Sequence, residues 1–394
     1  MSKPIFSETK SHKPYYIIAF IFVVIGAIYF LVVQNDTSNV QKSTESRIVS
    51  SNVPTLKTET IVGGLVNVWD IGFLPNGTML YTERPGRLSA FKDGKSRVIQ
   101  KVSKVFAEGE GGLLGLAIDT KYSENSNIFV CYDGKVGDKL NVKVKRIKLD
   151  YELKVVEDKD IITDIPANES GRHSGCRIRM DNEEHLWVGA GDTASSGISQ
   201  NHKSLGGKML RVDRDGKGVE GNMGGDFDPR IFNFGHRNLQ GIALFNKPID
   251  GVYGYSAEHG TDVDDEINLL IKGNFGWDPG PGYDENVPMT DLKKYPDAKK
   301  AIWSSGDSTI AVSGATLIEG EQWGSYNGAL AVAVLKDQKL NIYSIDKGYK
   351  VTNLDSILKD FGRLRSVIQG PDGNLFITTD NNKNDKIIKI IPKL

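Results

Sequence analysis

Four basic side chains of this sequence stand in or beside apolar or glycine-rich stretches, and together they could bind an anion. They are Arg237, Lys336, Arg363 and Arg365. Arg363 and Arg365 are two residues apart, so on a strand they point to the same face. Guanidinium groups bind carboxylates through two parallel hydrogen bonds, and the chain as a whole has a net charge of only -1. The cluster therefore indicates a polyanionic ligand; the alternative is that each cation pairs with a structural carboxylate.

His173 lies among small residues, between Arg172 and Ser174. Neutral imidazole accepts a proton near neutral pH, so this residue is a candidate general base. The alternative is a structural histidine. His236 and His259 are open to the same two interpretations.

An acidic loop contains Asp264, Asp265 and Glu266, after Gly260 and with Tyr283 further along the chain. Ca²⁺ prefers carboxylate and backbone carbonyl oxygens, and a glycine-containing acidic loop supplies both. A solvated acidic turn explains the same residues equally well. The spacing does not match an EF-hand, and zinc is unsupported because the sequence has neither paired cysteines nor closely spaced histidines.

The elements that position these residues are predicted to be short strands. The candidate residues lie in glycine-bracketed segments spread from residue 109 to residue 373, so one site must be assembled from distant loops. Six hairpin-like units, each with a turn before an apolar strand, are typical of β-propeller blades. The sequence therefore predicts an all-β, six-bladed β-propeller with loops converging on one face. The units are 73–82, 180–188 and 370–378, with weaker copies at 116–132, 241–255 and 317–334.

Residues 15–33 carry no charge, and as a helix with a rise of ~1.5 Å per residue they could cross a hydrocarbon core. Lys3, Lys10 and Lys13 precede them, which predicts an uncleaved transmembrane signal-anchor helix with the propeller exported. The predicted location is the cell membrane, single-pass, with the catalytic domain on the extracytoplasmic side. The predicted domains are a cytoplasmic N-terminus (1–14), the anchor (15–33), a polar linker (34–59) and the propeller (60–394).

The near-neutral charge gives no reason to expect nucleic acid as a partner. Cys131 and Cys176 are the only cysteines and can form at most one disulfide. Because few cysteines in an exported chain leave the core to hold the fold, we expect free thiols.

Several motifs, in order and at plausible spacings, resemble the glucose/sorbosone dehydrogenase family over about residues 60–393. Its best-known members are soluble, PQQ-dependent glucose and aldose sugar dehydrogenases on a six-bladed propeller. In addition to Lys336, Arg363 and Arg365, the motifs are GGLLG (111–115), HSGCR (173–177), GHRNLQG (235–241), DDEIN (264–268), NFGW (274–277) and TIAVSG (309–314).

The resemblance implies that the protein oxidises the anomeric hydroxyl of an aldose sugar to a lactone, with pyrroloquinoline quinone (PQQ) and Ca²⁺ as cofactors and an external electron acceptor. It implies that His173 removes the hydroxyl proton and that Arg237 stabilises charge on the reduced cofactor. The implied calcium ligands are the carbonyls of Gly260 and Thr261 for one ion, and Glu266 with Tyr283 for a second. The implied PQQ contacts are Glu110, Arg237, Asn238, Thr309, Lys336, Arg363 and Arg365.

The chain departs from the family pattern at Glu110, where a Gln is usual, at Arg172, where some members have Asp, and at Thr261, where Pro is usual. The base and the cationic cluster are retained. Two other functions stay open: a calcium-dependent propeller lactonase or hydrolase, and a non-enzymatic binding propeller that has lost the cofactor.

Overall fold

The computed structural model describes residues 52–393, and nearly all of their regular structure is β. The strands form six antiparallel sheets of four strands each. Blade 1 contains β2 (Val68–Phe73), β3 (Met79–Glu83), β4 (Arg87–Lys92) and β5 (Lys95–Lys101). Blade 2 contains β6 (Leu113–Ile118), β7 (Asn127–Val136), β8 (Lys139–Leu149) and β9 (Val155–Pro166). Blade 3 contains β10 (Gly175–Met180), β11 (Leu186–Ala190), β12 (Lys208–Val212) and β13 (Ile231–Phe234).

The second half of the chain repeats this order. Blade 4 contains β14 (Leu239–Ile249), β15 (Val252–Glu258), β16 (Glu266–Leu269) and β17 (Trp303–Ser304). Blade 5 contains β18 (Val312–Leu317), β19 (Leu330–Val334), β20 (Lys339–Ile345) and β21 (Val351–Ile357). Blade 6 contains β22 (Leu364–Gln369), β23 (Leu375–Thr379), β24 (Asp385–Lys393) and, as its outer strand, β1 (Thr55–Leu65).

The first strands of neighbouring blades contact one another in a closed ring, β2 to β6, β10, β14, β18, β22 and back to β2. The ring is locked because β1 pairs antiparallel with β24, from Thr55 opposite Lys393 to Leu65 opposite Asp385. A closed ring leaves no exposed inner sheet edge, which is the usual solution of propeller folds. The prediction of an all-β, six-bladed propeller is confirmed.

The six predicted hairpin units coincide with the turn between the first and second strand of each blade. Regular helix is confined to α1 (Tyr122–Asn125) and a 3-10 helix (Glu321–Tyr326) among residues 52–393. The first strand begins at Thr55, inside the segment 34–59 that the sequence predicts as a linker.

The apolar core lies between neighbouring blades. For example, Ala333 and Ile342 of blade 5 pack with Val367 and Ile377 of blade 6 in one buried cluster. Complete burial of a valine or isoleucine side chain stabilises the fold by roughly 1.5–3 kcal/mol. The core therefore holds the blades in fixed positions, and the loops at their ends inherit that rigidity.

The predicted membrane location is corrected by the structure. Within residues 52–393 no helix is long and apolar enough to cross a bilayer. The predicted signal-anchor, residues 15–33, lies outside the described residues.

The prediction of free thiols was wrong. Cys131 on β7 and Cys176 on β10 form a disulfide that joins blades 2 and 3, with their Cα atoms 5.6 Å apart. The two residues are separated by 45 positions in the chain, and only the packing of adjacent blades brings them together.

Candidate active site

Nearly all the candidate residues lie at one end of the propeller, which we call the upper face. Because the first and second strands of each blade are antiparallel, the loops that enter first strands and leave second strands meet at this end. Glu110, His173, Arg237, Thr309 and Arg363 precede first strands. Lys336 and Gly260 follow second strands. The convergence that the propeller prediction required is therefore present.

His173 lies in the loop before β10, with its side chain 3% exposed and a left-handed φ of 55°. Its Nδ1 is 2.7 Å from Asp192 Oδ1 and 3.0 Å from the hydroxyl of Tyr283. A carboxylate at this distance accepts the Nδ1 proton, which leaves Nε2 with its lone pair. Nε2 makes no hydrogen bond with any residue from 52 to 393, so it is available to a ligand.

Asp192 is fully buried and is itself fixed from several sides. Its Oδ2 accepts hydrogen bonds from Trp277 Nε1 at 2.6 Å and from the Tyr283 hydroxyl at 2.8 Å. Its backbone N–H donates to the carbonyl of Arg237 at 2.7 Å. The neighbouring Gly191 approaches the carbonyl of His173 so closely that an added Cβ would lie 1.9 Å from that oxygen. Only glycine therefore allows the two loops to meet.

Lys208 supports the loop that follows Asp192. Its buried ammonium donates to the carbonyls of Ile198 at 2.9 Å, Ser199 at 3.0 Å and Gly206 at 2.7 Å. Burial lowers the pKa of Lys208 to about 7, and the charge of Asp192 opposes that shift.

Arg237 has a carboxylate partner that the sequence did not reveal. Glu285 Oε1 accepts hydrogen bonds from Arg237 Nε at 2.9 Å and NH2 at 2.6 Å, while its other oxygen lies 3.4 Å from Arg172 NH2. Burial lowers the pKa of Arg237, but interactions with Tyr283 and with the carboxylates of Glu285 and Asp192 outweigh burial, so the net shift is upward. Two guanidinium groups thus share one carboxylate close to His173.

Glu110 and Asn238 connect the loops of blades 2, 3 and 4. Glu110 Oε2 accepts hydrogen bonds from Asn238 Nδ2 at 3.0 Å and from the backbone N–H of His173 at 3.3 Å. Burial raises the pKa of Glu110. His173, His259 and the Asn238 hydrogen bond lower this pKa by more than burial raises it, so the net shift is downward. The extra carboxylate at this departure from the family pattern is therefore held as an anion.

Arg365 continues the same network toward blade 6. Its NH1 donates to Gln240 Oε1 at 3.3 Å, and Gln240 Nε2 donates to Asn238 Oδ1 at 3.0 Å. Its Nε donates to Asp380 Oδ2 at 2.9 Å, and both partners are buried. Arg365 is thus paired with a structural carboxylate, which was the alternative left open by the sequence.

Arg363 and Lys336 differ from the other two cations. Neither has an ion-pair partner within residues 52–393. Arg363 is half-buried, and burial together with the nearby charge of Arg365 lowers its pKa. Lys336 is exposed, and its backbone N–H donates to the carbonyl of Ile310 at the start of blade 5. The structure therefore leaves two uncompensated cations at the upper face.

The predicted calcium ligands fall into two places. Asp265 organises the first: it accepts hydrogen bonds from Gly260 N at 2.9 Å and from the Thr309 hydroxyl at 2.9 Å. The carbonyl oxygens of Gly260 and Thr261 accept no hydrogen bond from residues 52–393. Free carbonyl oxygens beside an acidic loop fit a hard cation. The hydroxyl of Thr309 is engaged by Asp265.

Glu266 occupies the second place, inside blade 4. It lies opposite Glu258 in the ladder between β15 and β16, and its Oε2 accepts a hydrogen bond from Asn268 Nδ2 at 3.0 Å. Burial and the charge of Glu258 raise the pKa of Glu266 to about 8. The buried Oδ1 of Asn268 has no hydrogen-bond partner, so this oxygen-rich pocket also fits a cation.

Tyr283 does not join Glu266 in that pocket. Among the described contacts, its hydroxyl is bonded to Asp192 and His173 instead. The long segment between β16 and β17 brings Tyr283 to His173 and Glu285 to Arg237.

His259 lies between the two groups of loops. Its Nε2 is buried and has no hydrogen-bond partner. Burial lowers its pKa, aided by Arg365 and Arg237 and opposed by Asp265 and Glu110. A buried polar atom without a partner in this position is consistent with a ligand-facing group.

A further acidic cluster, formed by Asp181, Glu183 and His185, lies at the opposite end of the propeller, in the turn between β10 and β11. Arg211 NH2 already donates to Glu183 at 3.1 Å and approaches His185 Nδ1 at 2.9 Å. The guanidinium of Arg211 therefore already supplies positive charge to this cluster. The cluster is remote from the predicted calcium ligands.

Three partners of the site escaped the sequence interpretation: Glu285, Asp380 and Arg84. Arg84 donates to the carbonyl of Gly111 at 3.0 Å beside Glu110. They carried no local signal, because each lies 15 to 48 positions along the chain from the residue it contacts.

The chain is similar to known proteins in both sequence and fold. A family model described as glucose/sorbosone dehydrogenase matches residues 65–389. Aldose sugar dehydrogenase YliI of Escherichia coli is 30% identical over 357 residues, covering 86% of this chain and 94% of that protein. The apo crystal structure of soluble aldose sugar dehydrogenase from Escherichia coli superposes with a TM-score of 0.77 at 28% identity, covering 86% of this chain and 100% of that one.

The PQQ-bound aldose sugar dehydrogenase of Streptomyces coelicolor shares the fold, with a TM-score of 0.71 at 23% identity, covering 86% of this chain and 99% of that one. The match of the family model to residues 65–389, over the same propeller that carries the site, leads to one conclusion: the chain belongs to the glucose/sorbosone dehydrogenase family.

Proposed function

We propose that this protein is a PQQ- and calcium-dependent dehydrogenase that oxidises the anomeric hydroxyl of an aldose to a lactone and passes the electrons to an external acceptor. One observation carries the proposal. His173 is buried with Nδ1 bound to Asp192 and Nε2 free, and it lies beside a cluster of cations on the same face. The names of the Escherichia coli relatives, which are aldose sugar dehydrogenases, support the same activity.

His173 is the general base. Asp192 holds its Nδ1 proton, so Nε2 accepts the proton of the anomeric hydroxyl as the hydride leaves C1 and the carbonyl of the lactone forms. Asp192 stabilises the imidazolium that results, because its carboxylate is desolvated and 2.7 Å away. Tyr283 fixes the orientation of Asp192 through the 2.8 Å hydrogen bond to Oδ2.

The cations of the upper face would hold the tricarboxylate of PQQ. Arg363 and Lys336 have no carboxylate partner among residues 52–393, so they are the groups most able to pair with an acidic ligand. Arg237, Asn238 and Glu110 lie at the same face, and Arg365 lies there already paired with Asp380. When bound, the quinone would accept the hydride and the calcium ion would act as a Lewis acid.

The carbonyls of Gly260 and Thr261 would bind the activating calcium ion, since both oxygens lack hydrogen-bond donors within the described residues. Asp265 fixes this loop because its carboxylate accepts a hydrogen bond from the Gly260 N–H. Glu266, with Glu258 and the unpartnered Oδ1 of Asn268, would hold a second ion.

The proposal is tested by adding PQQ and Ca²⁺, separately and together, to the purified full-length chain. We expect the melting temperature to rise most with both present, because a ligand that binds only the folded state stabilises it by about 2.7 kcal/mol at a hundredfold excess over Kd. The loaded protein should also reduce a redox dye when glucose is supplied.

A matched arm supplies a sugar lactone with Ca²⁺ and no PQQ. Hydrolysis of the lactone without dye reduction would replace the dehydrogenase by a lactonase. Stabilisation by PQQ without turnover of any aldose would leave a binding propeller.

A further inference from the structure

The disulfide between Cys131 and Cys176 lies directly beside the loop that carries the candidate base. Cys176 is in the first turn of chain after His173, at the upper end of β10, and Cys131 is on β7 of the neighbouring blade. Both cysteines are completely buried. The cross-link therefore attaches the beginning of β10, and with it the end of the His173 loop, to blade 2.

Cys176 has an unusual backbone conformation for a residue with a side chain. The pairing of β10 with β11 shifts between Gly175 and Arg177, which makes Cys176 the extra residue of a β-bulge. Its φ is 69°, in the left-handed region. This region is unfavourable for every residue except glycine, because Cβ comes too close to the carbonyl oxygen that follows it.

The same bulge occurs in other blades without that conformation. The first strands of blades 1, 4 and 6 have a register shift at the corresponding place, and the extra residues are Trp69, Gln240 and Arg365. None of these three described residues has a left-handed φ. The bulge by itself therefore does not require that conformation. The covalent bond to Cys131 is the feature of Cys176 that the other three residues lack.

The left-handed conformation extends back to the base itself. His173 has a φ of 55° and Gly175 a φ of 62°, so most of the segment 173–176 is left-handed. Within the segment, Ser174 Oγ donates a hydrogen bond of 3.0 Å to Asp133 Oδ1. Asp133 lies on β7, close to the disulfide in the same strand. Blade 2 therefore holds this loop at two neighbouring points, one by a covalent bond and one by a hydrogen bond.

We propose that the disulfide is a positioning element for the base. By holding Cys176 in the left-handed conformation, it fixes the path of residues 173–176 and hence the orientation of the His173 ring. Without the cross-link, a residue with a Cβ would leave this conformation, since such a φ persists only when the surroundings enforce it. The movement would lengthen the 2.7 Å hydrogen bond from His173 to Asp192 and displace Nε2. The effect on turnover rests on the proposed function, whereas the effect on the loop does not.

The experiment compares two variants that both lack the disulfide. Cys131→Ala/Cys176→Ala leaves a residue with a Cβ at the bulge, whereas Cys131→Ala/Cys176→Gly places glycine there, which adopts a left-handed φ without strain. Both variants lose the same cross-link, so a purely stabilising disulfide predicts equal behaviour of the two folded proteins. Ile342→Ala, which opens a cavity in the core between blades 5 and 6, is the control for lost stability.

The first measurement needs no cofactor. Hydrogen exchange of the backbone amides of residues 173–177 is followed by mass spectrometry on the full-length chain, at a temperature where circular dichroism shows all proteins to be folded. The amides of His173 and Gly175 report on the loop, because each donates a hydrogen bond to a side chain of another loop.

We expect these amides to exchange about tenfold faster in the alanine variant than in the natural chain, because the left-handed conformation disfavours a residue with a Cβ by a factor on the order of ten. The glycine variant should exchange at nearly the natural rate, and so should the control Ile342→Ala.

The second measurement is the oxidation of an aldose by the chain loaded with PQQ and Ca²⁺, followed as dye reduction. The alanine variant should lose about tenfold in kcat with little change in KM, because the base is displaced while the sugar still binds. The glycine variant should recover most of this loss, although it lacks the disulfide as well. Ile342→Ala should turn over as the natural chain does.

Equal exchange rates of the alanine and glycine variants, whether fast or slow, would overturn the proposal, because the disulfide would then not act through the conformation of Cys176. A change of the same size in Ile342→Ala would overturn it too, since lost stability would explain the result. So would fast exchange in the alanine variant with undiminished kcat. If no protein oxidises an aldose but the exchange rates differ as expected, the dehydrogenase function fails and the positioning of the loop stands.

Discussion

Asp192 Oδ1 lies 2.7 Å from Nδ1 of His173, although the two residues belong to different loops of blade 3. Through this contact the carboxylate determines which ring nitrogen carries the proton. It also accounts for the burial of Asp192, because a desolvated carboxylate is stable only when its hydrogen bonds are satisfied.

Replacing Asp192 by Asn should lower the kcat of sugar oxidation by about 10²–10⁴-fold. The amide can donate to Nδ1, which would move the proton to Nε2 and remove the base. Dye reduction by the PQQ-loaded chain measures the loss. Asp181→Asn is the matched control, because Asp181 accepts a tryptophan indole N–H as Asp192 does but lies at the opposite end of the propeller. A variant at Asp192 that keeps full turnover would remove this pair from the mechanism.

Tyr283→Phe should reduce kcat/KM by about tenfold, the equivalent of one lost hydrogen bond to a charged group. The hydroxyl donates to Asp192 Oδ2 at 2.8 Å, and without it the carboxylate is less firmly oriented. Tyr295→Phe is the control: it removes a hydroxyl that bonds Asp278 in the same segment between β16 and β17, away from His173. Equal losses in the two variants would mean that the segment as a whole, and not the Asp192 contact, sets the rate.

Arg365→Ala and Arg363→Ala should separate stability from ligand binding. Arg365 is paired with buried Asp380, so its removal leaves an uncompensated carboxylate and should cost about 3–5 kcal/mol of unfolding free energy. Arg363 has no ion pair within residues 52–393, so its removal should change stability by less than about 0.5 kcal/mol while weakening PQQ binding by about 1.5–3 kcal/mol.

Urea unfolding and a PQQ titration of both variants provide the measurements. If Arg363→Ala binds PQQ with unchanged affinity, the uncompensated cation does not contact the cofactor.

The stability of the protein should depend on Asp133 between about pH 4 and pH 7. Asp133 is buried, accepts hydrogen bonds from Ser174 Oγ at 3.0 Å and Gly112 N at 3.1 Å, and burial raises its pKa to about 7. A raised pKa in the folded state means that its contribution is fully present below the unfolded pKa and is lost as pH rises through 7. Urea unfolding at pH 5 and pH 8 should therefore show a smaller difference for Asp133→Asn than for the natural chain. Parallel pH curves for the two proteins would contradict the assignment.

Removing the disulfide by Cys131→Ala/Cys176→Ala should lower the free energy of unfolding by about 4 kcal/mol, the chain-entropy value for a loop of this length. The loop spans 45 positions. Thermal unfolding with and without a reductant measures the effect: the natural chain should lose stability on reduction, and the variant should not respond. Sensitivity of both proteins to the reductant would point to another cause.

The sequence was sufficient for the blade pattern, because each hairpin is a local signal: a turn of Pro, Asn, Asp or Gly followed by an apolar strand. The same local signals placed His173 and Arg237 in glycine-rich segments between strands. They could not place Cys131 beside Cys176, or Tyr283 beside Asp192, because those contacts depend on how neighbouring blades and a long segment pack.

The charged residues show most clearly which features depend on the local sequence and which depend on the tertiary structure. The sequence by itself determined that cations, acids and a histidine occur in glycine-rich loops at repeated positions, since φ preferences and hairpin chemistry act over a few residues. The tertiary structure alone decided that Arg365 is neutralised by Asp380 and Arg237 by Glu285, whereas Arg363 is left without an ion pair among residues 52–393. Electrostatic pairing depends on distance in space, and the closed ring of blades sets those distances.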